Sequence, residues 1–263
     1  MRQFMLAADQ PLPAAGDTVL LDAEESHHLL KVLRIRADRD LHLVDGRGHR
    51  LVGRCVGRRD RLAEVVIDRV AADPREGAAP RLRLACGVVK GRRWEWALEK
   101  AVECGAHAVV PLLTEHGVVE PGQGRRERWL GVLRSGLKQS GRCLLPELAE
   151  PLSLDRFLAG VADGPVAFGA VPEERSEAET PPALPGPDAG GARPDWITVA
   201  VGPEGGWTEA ERRALTGAGA VALDLGPHVL RTETAAVAAL VLAQRVRGAW
   251  LDAAGVPPPP NPA

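Results

Sequence analysis

Ile197-Thr198-Val199-Ala200-Val201-Gly202-Pro203-Glu204-Gly205-Gly206 is a short apolar, β-branched run broken by a loop of glycine and proline, the pattern of a buried strand ending in a turn. A helix start follows at once. Thr208 stands three residues before Glu211, the spacing at which a hydroxyl and a carboxylate satisfy each other's backbone N–H groups. The arrangement repeats in Val221-Ala222-Leu223-Asp224-Leu225, broken by Gly226-Pro227. Val229-Leu230-Arg231-Thr232-Glu233-Thr234 then leads into an alanine-rich helix over residues 235–245. Two adjacent strand-to-helix junctions predict an open α/β sheet, with ligands bound in the crevice at the carboxyl ends of its strands. Three glycines in one loop let backbone amides approach a ligand closely. Tight turns alone explain the glycine and proline, but Glu204, Arg231, Thr232 and Glu233 have no packing role in such turns and favour a binding site.

Upstream, the same alternation continues. Residues 82–89 read as a strand, and Lys90-Gly91-Arg92-Arg93 precedes a helix with Trp94, Ala97, Leu98 and Ala101 at helical spacing, ended by Gly105. Residues 108–113 read as the next strand. Residues 126–139 read as an amphipathic helix burying Trp129, Leu130, Val132, Leu133 and Leu137, and residues 166–169 as a further strand. Strands alternating with helices predict a mainly parallel sheet.

The first 73 residues follow another grammar. Residues 18–21, 41–44, 51–56 and 63–70 lean towards strand, with Asp45-Gly46-Arg47-Gly48 as a hairpin turn. One helix interrupts them, with Ser26 as its expected cap and His28, Leu29, Val32 and Leu33 on one side. This predicts a small β-barrel with an inserted helix. Arg34 and Arg36, with Arg47, Arg50, Arg54, Arg58, Arg59 and Arg61, suit phosphate contacts that position RNA; a solvated barrel face is the other reading. Asp73-Pro74 through Pro80 reads as a linker without periodicity. Residues 173–194, dense in Pro, Gly, Ala and Glu, read as an insertion expected to lack order, as does the tail over 251–263.

With 263 residues, 45% of them hydrophobic, the chain has room for two domains. Its charge is uneven: residues 74–146 carry 13 Lys/Arg against 7 Asp/Glu, and residues 147–263 carry 8 against 16, so a polyanion would be drawn to the former segment. Cys55, Cys86, Cys104 and Cys143 are too scattered for a zinc site or a disulfide framework and read as buried thiols, with no metal expected. Met1-Arg2-Gln3-Phe4-Met5 lacks the apolar core of a signal peptide, and no apolar run approaches a membrane span, which predicts a cytoplasmic protein without membrane partners. Absence of G-x-G-x-x-G after a strand, G-x-x-x-x-G-K-[ST], G-x-S-x-G and H-E-x-x-H argues against simple dinucleotide, P-loop, hydrolase and zinc-protease chemistry.

Gly202-Pro203-Glu204-Gly205-Gly206, Leu225-Gly226 and Leu230-Arg231-Thr232-Glu233-Thr234-Ala235 resemble the cofactor loops of the SPOUT methyltransferases, specifically the RsmE family. His27-His28-Leu29-Leu30-Lys31-Val32-Leu33-Arg34-Ile35-Arg36, Asp45-Gly46, and the opening Arg2 and Phe4 are similar to that family's N-terminal module. The resemblance implies a PUA-like β-barrel over residues 1–73, for binding RNA, and an α/β SPOUT-type domain with a C-terminal trefoil knot over residues 74–250. It implies that S-adenosylmethionine (AdoMet) is gripped by Gly202, Pro203, Glu204, Gly205, Gly206, Leu225, Gly226, Leu230, Thr232, Thr234 and Ala235, and that RNA is contacted by Arg2, Lys31, Arg34, Arg36, Lys90 and Arg142. The implied reaction is methylation of uridine N3 in 16S rRNA of the small ribosomal subunit, by a homodimer. Arg231 is then the cation for the developing charge on uracil, and Glu204 and Glu233 the carboxylates that compensate the sulfonium or relay the proton.

Lys90-Gly91, Lys100, Glu103-Cys104-Gly105 and Gln139-Ser140-Gly141-Arg142 resemble further landmarks of the family. Two positions depart from it: Thr114-Glu115-His116 stands where serine-glutamate-arginine is expected, and Lys138 where glutamate is expected. These two departures favour the alternative of a non-catalytic RNA-binding or ribosome-assembly factor; the intact cofactor loops favour the enzyme.

Overall fold

The computed structural model describes residues 3–32, 39–117, 124–170 and 184–258. The chain divides into two compact units, one of Met1–Gly77 with Arg134–Leu145 and one of Ala78–Leu133 with Pro146–Pro257.

The first unit holds β1 (Gln3–Met5), β2 (Thr18–Leu20), α1 (Ala23–His27), β3 (Asp40–Val44), β4 (His49–Arg59) and β5 (Leu62–Ala72). The strands form one sheet in the order β1-β3-β4-β5-β2, with β1 parallel to β3 and the other pairs antiparallel. Register shifts at Val52/Gly53 and Cys55/Gly57 bend the long β4–β5 hairpin. Phe4 and Leu6 from one edge and Val19 from the other meet Leu41, Leu43, Val65 and Ile67 in a single core. In the β3–β4 turn, Gly46 and Gly48 take positive φ of 72° and 106°, and the Asp45 carboxylate accepts from the backbone N–H of Arg47 and His49.

Two expectations for this unit are corrected. The helix is capped by Asp22, whose carboxylate accepts from Glu25 N at 2.8 Å. Ser26 lies inside the helix, buried, donating to Leu21 O and accepting from Ala63 N. After His27 the helix widens into a π-helical stretch, His28–Val32. The wider i→i+5 repeat moves Val32 off the face of buried Leu29, leaving it 57% exposed. The linker expectation also fails at its start: Asp73 and Glu76 are buried. Asp73 pairs with Arg50, and Glu76 with Arg142.

The second unit holds β6 (Arg81–Gly87), α2 (Arg92–Glu103), β7 (Ala108–Leu113), the first part of α3 (Arg125–Ser140), β8 (Glu147–Leu148), β9 (Leu152–Ser153), α4 (Leu154–Gly160), β10 (Val166–Gly169), β11 (Trp196–Val201), α5 (Glu209–Gly217), β12 (Val221–Leu223) and α6 (Thr232–Ala253). Every strand pair is parallel, in the order β12-β10-β11-β6-β7-β8, with β9 also on β7. The α/β expectation therefore holds. β11, formed by the short apolar run before Gly202, lies inside the sheet with Ile197, Val199 and Ala200 fully buried.

α6 extends well past the expected end at residue 245. Ala235, Ala236, Ala239 and Ala243 give it a small buried face for α2, β6 and β11. Arg247 is 4% exposed and donates to Pro80 O and Ala78 O. Trp250 and Leu251 are buried, so the expected tail begins as helix. Of the insertion at 173–194, residues 173–183 lie outside the described residues. The remainder is seated, with Leu184 buried and Pro185 O accepting from Trp250 Nε1 at 3.1 Å. One apolar side chain and one carbonyl suffice to anchor a segment that has no periodicity. Among the described residues no helix is long and apolar enough to cross a membrane.

Candidate active site at the carboxyl ends of three strands

β10, β11 and β12 are neighbours in the sheet and run parallel, so the loops leaving them open on one edge. There they enclose a cleft of about 60 Å³, reaching the first turn of α6. The β11 loop is a turn closed by Gly206 N donating to Pro203 O at 2.9 Å, with Gly206 at φ 71°. It is held from both ends. Trp207 is buried against Gly202 and donates from its indole to Gly169 O at 3.1 Å. Thr208 and Glu211 form the expected reciprocal cap on α5. Across the cleft, Asp224 accepts from Gly226 N at 2.8 Å, and Gly226 takes φ 108°, a conformation that suits glycine.

Gly202, Pro203, Gly206, Leu225, Gly226, Leu230, Thr232 and Ala235 line the cleft. Three residues expected there do not. Glu204 is turned to an ion pair with Arg93. Gly205 faces His116, whose Nδ1 lies 2.9 Å from its carbonyl oxygen. Thr234 is exposed, one residue out of phase with the lining positions Thr232 and Ala235. The sequence reading missed Gly169, Ala170, Val201, Trp207, His228 and Val229 as lining residues. For Gly169 and Ala170 the signal was present, since a short strand ending in glycine was expected at 166–169.

Arg231 occupies the N-cap position of α6, exposed and making no side-chain capping bond. Glu233 is half-buried, and its Oε2, like Thr232 Oγ1, is a buried atom without a hydrogen-bond partner among the described residues. Burial, and after it the charge of Glu233, pushes the thiol of buried Cys86 up to about 12, which keeps it protonated and inert at neutral pH. Of the two unsatisfied oxygens, that of Thr232 belongs to a lining residue of the cleft and is available to a polar group of a ligand; Glu233 is not among the lining residues.

Of the RNA contacts expected, Arg2, Arg34 and Arg36 lie outside the described residues. Lys31 and Lys90 are exposed. Arg142 is corrected: its guanidinium grips Glu76, with both side chains about nine-tenths buried. Arg47, Arg50, Arg54 and Arg59 likewise pair with Asp45, Asp73, Asp68 and Glu64, whereas Arg58 and Arg61 are exposed.

Residues 77–244 match the model of an RNA methyltransferase domain, and residues 21–54 that of an RNA methyltransferase PUA domain. Ribosomal RNA small subunit methyltransferase E of Mycobacterium bovis is 35% identical over 247 residues, covering 90% of this chain and 89% of that protein. The Bacillus subtilis protein of the same name is 28% identical, covering 91% and 94%. The crystal structure of a ribosomal RNA small subunit methyltransferase E from Neisseria gonorrhoeae bound to S-adenosyl methionine is 28% identical, with a TM-score of 0.77 over 93% of this chain and 97% of that one. With a methyltransferase model spanning more than half of its length and relatives aligned along nine-tenths of it, this chain belongs to the RsmE family of ribosomal RNA small subunit methyltransferases.

Proposed function

We propose that this chain is an AdoMet-dependent methyltransferase acting on N3 of a uridine in 16S rRNA, with the cleft at the ends of β10, β11 and β12 as its cofactor site. The observation that carries the proposal is the unsatisfied Thr232 Oγ1 at the start of α6, on a residue lining a cleft edged by loop backbone. Backbone groups of Gly202, Gly206 and Gly226 would hold the cofactor there, with Leu225, Leu230 and Ala235 against its apolar parts. AdoMet supplies an electrophilic methyl group; the chain supplies orientation, exclusion of water and placed charge.

Uracil N3 becomes nucleophilic when its proton leaves. Glu233, whose Oε2 has no hydrogen-bond partner among the described residues, is assigned as the carboxylate that would receive that proton. Arg231, exposed at the start of α6, would stabilise the negative charge left on the ring. Lys31 and Lys90 attract the RNA backbone. The reading also carries the trefoil knot that the resemblance implies and the cytoplasmic location expected from the sequence. The homodimer belongs to it as well, with Val229, Val241 and Leu242, 64%, 48% and 39% exposed, as the apolar surface for a second copy.

The test is calorimetric titration with AdoMet, followed by incubation with small ribosomal subunits and mass-spectrometric mapping of methylated nucleosides. One 3-methyluridine in 16S rRNA is expected. Binding without transfer would identify a non-catalytic RNA-binding factor instead, and absence of binding would remove the cleft from the argument.

A further inference from the structure

The turn after β7, Thr114-Glu115-His116-Gly117, takes no part in the chemistry above. It closes on itself, with Gly117 N donating to Thr114 O at 2.9 Å, and two of its groups reach the β11 loop and the cap behind it. Glu115 N donates to Glu211 Oε1 at 2.9 Å, and the other oxygen of the same carboxylate accepts from Thr208 N at 2.8 Å. His116 Nδ1 lies 2.9 Å from Gly205 O. A carbonyl oxygen only accepts, so Nδ1 carries the proton in this bond. The approach is close enough that a Cβ on Gly205 would stand 2.8 Å from His116 Cβ. Gly202, Pro203 and Gly206 meanwhile line the cleft. The residue between these lining positions is thus gripped by a side chain from a neighbouring loop.

The geometry points to His116 as a positioning residue: through the Gly205 carbonyl it holds the Gly202-to-Gly206 backbone in the conformation that forms the wall of the cleft. The assignment rests on the reading of that cleft as the AdoMet site. It gives a role to a histidine standing where the RsmE pattern has arginine. The bond requires a donor two atoms beyond Cβ. Asparagine places its amide nitrogen there, whereas glutamine places it one bond further out.

The test compares His116→Ala, His116→Gln and His116→Asn in the full chain by hydrogen exchange over residues 202–206 and by calorimetric titration with AdoMet. The alanine and glutamine variants should exchange faster in this loop and bind AdoMet roughly fivefold more weakly, the loss expected of one net hydrogen bond. Their thermal unfolding midpoint should fall by no more than about 2–4 °C, the worth of one hydrogen bond, their affinity for ribosomal RNA should stay unchanged, and the asparagine variant should recover both loop protection and AdoMet affinity. Unchanged loop exchange in His116→Ala overturns the assignment. So does an asparagine variant that behaves as alanine, or a loss that merely follows a fall in the unfolding midpoint. The exchange measurement needs no cofactor: if the unaltered chain binds no AdoMet, the reading of the cleft falls, while the exchange comparison still decides whether His116 holds the loop.

Discussion

Arg142→Ala sets the phosphate contact expected from the sequence against the ion pair seen in the fold. The Arg142 and Glu76 side chains are 11% and 10% exposed, and Arg142 Nε and its terminal nitrogen reach both carboxylate oxygens at 2.5–3.2 Å. Alanine leaves Glu76 buried with the weaker bond from Cys143 N at 3.3 Å. Removing one member of a buried pair costs about 3–5 kcal/mol; the backbone bond that survives puts the loss near the lower figure. For a unit of this size that is a fall in unfolding midpoint of about 12 °C or more, read by circular dichroism. Glu76→Gln combined with Arg142→Met should restore most of it, because no charge is then stranded. RNA affinity, measured by anisotropy at a temperature where both proteins are folded, should keep its salt dependence. A true phosphate contact would take about 0.7 from the slope of log affinity against log salt on single-stranded RNA. An unchanged midpoint together with that loss of slope would refute the reasoning.

Gly87→Ala places a Cβ 2.7 Å from Pro203 N; the backbone of the cofactor loop must shift, and AdoMet affinity should fall by about tenfold or more, with wild-type affinity in calorimetry as the contrary result. Lys138→Met removes the partner of Glu25, whose carboxyl burial holds above its usual range even with Lys138 bonded to it. The variant should lose about 2–3 kcal/mol near pH 8. Since a raised carboxyl pKa penalises the charged form in the folded chain, the loss should shrink as pH falls through that raised value towards about 4.3; a pH-independent loss in urea titrations would contradict this. Asp163 is displaced the other way, held below the ordinary carboxylate range by its hydrogen bonds from Arg83 against the opposing effect of burial. Its contribution to stability is complete above the unfolded value of about 3.9 and is lost as pH falls through the lower folded value. Arg83→Met should flatten that part of the acid-unfolding profile, and an unaltered profile would exclude the pair as its source.

The parts of this fold visible in the sequence are those written by neighbours along the chain. The Thr208 and Glu211 cap, the strand ending at Val201 and the positive-φ glycines at 46 and 226 each depend on residues a few places apart. What escaped detection depends on distant partners. Nothing near Arg142 announces Glu76, and nothing near Glu204 announces Arg93, so both residues looked available for phosphate or sulfonium. Asp22 and Ser26 are equally good capping residues in isolation; the bond from Ala63 N to the Ser26 hydroxyl decides between them, and it comes from another strand. α6 was expected to end at residue 245, and nothing near Arg247 announces the carbonyls of Ala78 and Pro80 that make its burial in the longer helix tolerable.

Parallel pairing of Thr198 with Arg83 joins points 115 residues apart in the chain. While this polypeptide emerges from the tunnel in which it is made, β6 and β7 can meet early, but the middle of the sheet waits until Val201 is outside. Until then the backbone edge of β6 that pairs with β11 has no strand beside it, an unpaired edge that invites association with other chains. A stall placed anywhere between β7 and β11 should therefore yield a protease-sensitive, aggregation-prone nascent chain, whereas one placed beyond α6 should not.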